Sequence, residues 1–209
     1  MRRSILLLVL GAAFPVTASG SPPVGPNSTM PACISLVGSY QGVAATAFGQ
    51  FHVVVRDITN NPISGVVVTV DLSQCTDLHL CSDQLDPGLT LLCGLKQVGR
   101  VTDATGTAQF TLLGGSNGAG NATGYALNGR VLVNGTLLGY MTVSAYDLDS
   151  SAGVGANDLS AWFGDFGSGL SYGRSDYDCS GGIGANDLSL WLDAWGSSTM
   201  SESCTYNCP

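Results

Sequence analysis

The sequence is short of charge, and the charge it has is mostly of one sign. Only 11% of its 209 residues are charged, with 7 Lys+Arg and 2 His set against 15 Asp+Glu, a formal net charge of −8. This excludes the basic surface that binding to nucleic-acid phosphates requires. Few Lys, Glu or Arg also argue against long solvent-exposed helices. Beyond the N-terminus no stretch offers the roughly 18 consecutive apolar residues that a transmembrane helix needs. His52 alternates with apolar neighbours on an expected strand and His79 sits in a cysteine-rich stretch. Neither has a nucleophile and base patterned around it, so no enzymatic activity is expected.

What is present is 44% hydrophobic residues and 29 glycines, a composition suited to short strands joined by tight turns. Arg2 and Arg3, an apolar run from Ile5 to Phe14, and Val16-Thr17-Ala18 follow the pattern of a secretory signal peptide over residues 1–18. A secreted or extracellular, possibly surface-associated protein is expected, with residues 19–32 as a linker. Outside the cytoplasm cysteines usually pair. Cys33, Cys75, Cys81 and Cys93 could form two bridges, in any of three connectivities, and Cys179, Cys204 and Cys208 leave one thiol without a local partner. No histidine follows Arg100, so Cys204 and Cys208 read as disulfide cysteines and not as a zinc site.

Charge divides the chain near Tyr146. After it stand Asp147, Asp149, Asp158, Asp165, Asp176, Asp178, Asp187, Asp193 and Glu202 against Arg174 alone. Local acidity of that kind favours cations as partners. Before it, residues 33–145 read as strands: Phe51 to Val55 runs into Asp57 and the turn Asn60-Asn61-Pro62, and Gly65 to Val70 resumes the β-branched pattern. Val101 to Gly106 leads into Thr107 to Leu112 as strand, turn, strand. This sequence of strand ending in Asp, Asn-Pro turn, Gly-Val-Val-Val-Thr-Val and Thr-Asp-Ala-Thr-Gly-Thr-Ala-Gln-Phe resembles bacterial immunoglobulin-like domains. The resemblance implies an antiparallel sandwich; Ser73 to Gly94, holding three cysteines, departs from that pattern and reads as a disulfide-tied insertion.

The most informative feature is a repeat with a period of 29 residues, in which Asp147 to Asp158 aligns without gaps on Asp176 to Asp187. Calcium takes six to eight oxygen ligands, and a twelve-residue loop can wrap them around one ion. Asp147, Asp149, Ser151, the Gly153 carbonyl and Asp158 would hold one ion; Asp176, Asp178, Ser180, the Gly182 carbonyl and Asp187 would hold a second. Val154 and Ile183, at loop position eight, are expected to pair the loops through a short β contact. Position six needs a backbone that glycine adopts freely; Gly181 supplies it and Ala152 does not. The first loop should therefore strain or shift its turn toward Gly153.

After each loop the apolar spacing becomes helical: Leu159, Trp162, Phe163 and Phe166 match Leu188, Trp191, Leu192 and Trp195. These stripes are expected to pack on each other as a small core. Asp at the closing loop position, and loop-then-helix order with no long entering helix, resemble dockerins over residues 146–197. That resemblance implies a docking module for a cohesin-like scaffold domain, with Ala156-Asn157 and Ala185-Asn186 setting partner choice in either of two orientations. The expected fold class is a mainly β N-terminal immunoglobulin-like sandwich followed by a small α-helical dockerin-like module with two calcium loops and a cysteine-containing tail, residues 198–209. The alternative is a structural or adhesive surface protein whose calcium loops only stabilise the C-terminal part.

Overall fold

Alternation of apolar and polar side chains builds most of the strands. In chain order they are β1 (Cys33–Leu36), β2 (Ser39–Tyr40), β3 (Val43–Ala44), β4 (Gln50–Val54), β5 (Val67–Asp71), β6 (Leu78–Leu80), β7 (Thr90–Leu92), β8 (Gln97–Val101), β9 (Thr107–Thr111), β10 (Gly114–Ser116), β11 (Gly129–Val133) and β12 (Thr136–Ala145). The helices are a single turn, α1 (Thr46–Gly49), and two of twelve residues, α2 (Ala156–Gly167) and α3 (Ala185–Gly196). This computed structural model describes residues 24–117, 129–151, 153–168, 173–202 and 208; the expected signal peptide, Ala152 and Cys204 lie outside the described residues.

Six strands form one curled sheet in the order β1-β12-β11-β5-β8-β7. Its inner face carries Val68, Val70, Val98, Val131 and Met141, all buried. Against it lies the antiparallel ribbon β4-β9, which contributes Phe51, Val53, Ala108 and Phe110. Phe51 and Phe110 sit opposite each other in register and stack at 5.2 Å. Opposed aromatic pairs of this kind are the side-chain unit that fixes register.

The two expected turns do not close hairpins; each carries the chain from one layer to the other. Asp57 follows β4 and precedes β5, and its Oδ1 accepts the amides of Thr59 (2.8 Å) and Asn61 (2.9 Å). Asp103 follows β8 and precedes β9, and its Oδ1 accepts the amides of Thr105 (2.8 Å) and Thr107 (3.0 Å). Those hydrogen bonds hold both carboxyls below the ordinary carboxylate range. β9 accordingly pairs with β4, not with the adjacent β8.

The expected fold class is corrected on two counts. In place of an antiparallel immunoglobulin-like sandwich there is one curled, mixed sheet in which β1 runs parallel to β12, together with three two-stranded ribbons. In place of a small α-helical module there are α2 and α3, which bury their inner faces in a core shared with the β region. Trp162, Tyr177, Trp191, Ala194 and Met200 pack with Val37, Ala45, Cys81, Leu113, Tyr146 and Leu148. The reason is physical: a loop-plus-helix pair of this size buries too little apolar surface alone, and the end of the β region supplies the missing wall.

The disulfides follow the same logic. Instead of two bridges within the first hundred residues, Cys33 bonds Cys179 and Cys93 bonds Cys208, tying the β region to the C-terminal segment across separations of 146 and 115 residues. Cys81 is also disulfide-bonded, whereas Cys75 is a free, buried thiol whose pKa burial pushes up to about 12. The Ser73 to Gly94 segment is therefore part of the fold, contributing β6 and β7, and is not tied only to itself. These bridges fit an oxidising compartment. No helix among the described residues is long and apolar enough to cross a membrane.

Candidate metal centre

Each acidic loop begins where a neighbouring element ends and closes on the first turn of a helix. β12 delivers the chain to Asp147, and a 3-10 turn at Gly173–Ser175 delivers it to Asp176. At the far end Gly155 and Gly184 are the N-caps of α2 and α3, and Asp158 and Asp187 occupy the third helical position. Asp158 Oδ2 accepts the Gly155 amide (2.7 Å), and Asp187 Oδ2 accepts the Gly184 amide (2.8 Å). A carboxylate there satisfies a helix N–H and meets the positive end of the helix dipole. The other oxygen reaches back to the loop start: Asp158 Oδ1 accepts from Leu148 (2.6 Å) and Asp149 (2.9 Å), and Asp187 Oδ1 from Tyr177 (2.7 Å) and Asp178 (3.1 Å).

The sequence-predicted acids are thereby brought together. In the triads Asp147/Asp149/Asp158 and Asp176/Asp178/Asp187, one oxygen from each residue lies within 4.8 Å of the others. Oxygens about 2.3–2.6 Å from a shared calcium ion can be at most about 5.2 Å apart, so both triads have the span of a single-ion site. Either could hold a metal. Among the neutral ligands, the Ser180 hydroxyl and the Gly182 carbonyl face each other at 3.2 Å. Ser151 is exposed, its amide donating to Asp149 Oδ1 at 2.9 Å, and Gly153 is buried.

Crowding three carboxyls in each loop shows in their titration. Burial, with the neighbouring Asp147 charge adding to it, raises Asp158 to about 6. Burial and the Asp187 charge also raise Asp176, while the Ser180 hydroxyl lowers the exposed Asp178. A divalent ion would reverse the upward shifts.

The two loops wrap differently. In the second, Asp176 accepts the amides of Ser180 (3.0 Å) and Gly181 (2.9 Å), at loop positions five and six, and Gly181 has φ +84°. In the first, Asp147 accepts the amides of Ser150 (2.8 Å) and, at a long 3.4 Å, Gly153, at positions four and seven; here Gly153 has φ +130°. The positive-φ glycine thus stands at position six in the second loop and at position seven in the first. The expected β contact between Val154 and Ile183 is also corrected: the Val154 amide donates to Met200 O at 3.0 Å.

The loops remain linked through side chains that sequence reasoning did not assign. Tyr146 and Tyr177 stack with parallel rings at 4.7 Å, and Trp191 Nε1 donates to Tyr146 O at 3.2 Å. Tyr177 Oη donates to Ala145 O, at the end of β12, at 2.9 Å. Arg174, the single base of the acidic segment, is buried against Asp165 through Nε (2.8 Å) and Nη2 (2.6 Å), and its Nη1 reaches Ser116 of β10 at 3.1 Å. A lone arginine among nine acids was the available signal for this buried pair.

The helices bury less than their patterns suggested. Trp162 and Trp191 are inside, but Phe163 and Phe166 are 52% and 53% exposed, and Leu192 and Trp195 are each 43% exposed. Ala156, Asn157, Ala185 and Asn186 are exposed at the helix starts, with Asn186 donating to Asp178 Oδ2 at 3.3 Å. No family model, curated protein or solved structure matches the chain.

Proposed function

We propose that this is an exported, non-enzymatic protein in which two calcium ions, one per acidic loop, hold α2 and α3 against the β region and so present their outer faces to a cohesin-like partner. The observation that carries the reading is the repetition of an exposed surface behind each acidic loop. Ala156-Asn157, Phe163 and Phe166 on α2 recur as Ala185-Asn186, Leu192 and Trp195 on α3. Exposed apolar side chains in such a concentration are typical of interaction sites. The surrounding charge is negative, so a partner with a basic rim fits it. Oxygen-rich twelve-residue loops suit calcium, which accepts variable geometry, better than a smaller ion that demands strict octahedral geometry.

The shared core favours a second reading, in which the ions only lock the C-terminal segment to the β region of a structural or adhesive surface protein. A pull-down from the native extracellular fraction, in calcium and in chelator, separates the two. Stoichiometric recovery of one scaffold protein in calcium alone supports docking; recovery of no protein partner, with calcium still raising the melting temperature, supports the structural role. Within the docking reading, altering Ala156-Asn157 alone weakens capture little, and altering both pairs abolishes it.

A further inference from the structure

The C-terminal segment lies where the second loop was expected. Val154, at position eight of the first loop, gives its amide to Met200 O (3.0 Å), at the end of the 3-10 turn Ser198–Met200. A Cβ built on Gly153 would stand 2.5 Å from Ser201 O, so the segment lies directly on the loop backbone. Beyond it, Glu202 and Ser39 exchange main-chain hydrogen bonds of 2.7 and 2.9 Å, and Glu202 Oε2 accepts the Gln41 amide at 3.2 Å. Met200 is buried with Val37, Tyr146 and Trp162, and Cys208 is fastened to Cys93 by a disulfide and to Leu80 O through its amide. At the second loop a Cβ built on Gly182 would meet nothing within 4 Å among the described residues, and none of them gives Ile183 a main-chain hydrogen bond.

We propose that residues Ser198–Glu202 are a strap that replaces the second loop at the pairing edge of the first, so that cation affinity at Asp147, Asp149 and Asp158 depends on the C-terminal segment while affinity at Asp176, Asp178 and Asp187 does not. This rests on the metal reading of the loops. Met200 and Ser201 act as positioning residues: they fix the backbone of Gly153 and Val154, whose neighbour Asp147 then aims into the triad. In paired loops joined edge to edge each site would stabilise the other through the main chain; a strap takes that main-chain contact away and hands control of one site to the tail.

The test is Glu202→Pro in the full chain, with Glu202→Ala as control. Proline removes the amide that bonds Ser39 O and disfavours the helical conformation of Ser201 (φ −76°, ψ −10°) without touching a loop residue. Amide exchange at Val154 and Ile183 reads the strap directly, and a residue-resolved calcium titration by NMR reads the two sites separately. In Glu202→Pro the strap model expects Val154 exchange to accelerate about tenfold or more and first-loop affinity to fall roughly fivefold or more, with the second loop unchanged; Glu202→Ala stays close to the parent. If Glu202→Pro does not fold, Cys93→Ser with Cys208→Ser releases the strap from its far end and carries the same expectations. Unchanged Val154 exchange, or equal loss at both sites, overturns the strap. A parent chain that takes up no calcium refutes the metal reading instead, and Val154 exchange still decides the strap.

Discussion

Two glycines at the same loop position should respond unequally to one added methyl group. Gly153 has φ +130°, and a Cβ there would lie 2.5 Å from Ser201 O and 2.7 Å from Ser201 C. An alanine in such a backbone region costs about 1–3 kcal/mol before any clash is counted. Relieving the clash means pushing the strap away or rotating the loop, and either moves the Gly153 carbonyl and Asp147. Since about 1.4 kcal/mol is tenfold in affinity, Gly153→Ala should weaken the first site by about tenfold or more. Gly182, its counterpart, lies outside the positive-φ region and would meet nothing within 4 Å among the described residues. Gly182→Ala should therefore change the second site by less than about threefold, within the few tenths of a kcal/mol typical of an unencumbered substitution. Calorimetric calcium titration of the two variants and the parent decides it. Equal effects of the two substitutions, or a larger effect at Gly182, would falsify the account of how the first loop turns.

Other consequences follow from the buried charges. Asp158, raised to about 6 from an ordinary 3.8, binds protons more readily folded than unfolded, so in chelator stability rises as pH falls from about 6 toward 4. In calcium the proton competes with the ion; the melting-temperature gap between calcium and chelator should be wide at pH 7 and narrow at pH 5, and a wider gap at pH 5 contradicts the assignment. Asp165→Ala removes the carboxylate that compensates the buried Arg174 charge and should cost about 3–5 kcal/mol in chemical denaturation, whereas Asp165→Leu with Arg174→Met costs much less. Equal losses in the two variants would contradict the claim that the single substitution costs stability by leaving a buried charge uncompensated. Removing the Cys93–Cys208 bridge should cost about 2–5 kcal/mol, and an unchanged denaturation midpoint would show that the C-terminal segment is held by packing alone.

Much of this was legible in the residues, and the limits are physical. Strands β4, β5 and β9 announce themselves by period-two alternation, and the acidic loops by a gapless repeat of acids. A special backbone at Gly153 was expected from Ala152 standing where Gly181 stands in the second copy, and Gly153 has φ +130°. Which strands become neighbours does not follow, because alternation fixes the buried face of a strand but not its partner. The turns at Asp57 and Asp103 could thus be read from the residues, but not that they carry the chain between layers. Helical stripes likewise specify an apolar arc without naming the wall it meets: Trp162 and Trp191 turned toward Val37, Leu113 and Tyr146, which left Phe166 and Trp195 outside. The strap had no signature, since Ser198 to Glu202 carries neither period nor charge pattern and its role exists only through contacts with residues far away in sequence.

In the arrangement we propose, the two acidic loops are unequal calcium sites that fasten the C-terminal segment to the β region. A calorimetric titration of the metal-free full chain with calcium tests it most directly, repeated on Asp187→Ala. The account predicts two ions per chain in two resolved classes, with Asp187→Ala abolishing the tighter one. Absence of binding, or a single class of equal sites that Asp187→Ala does not disturb, would contradict it.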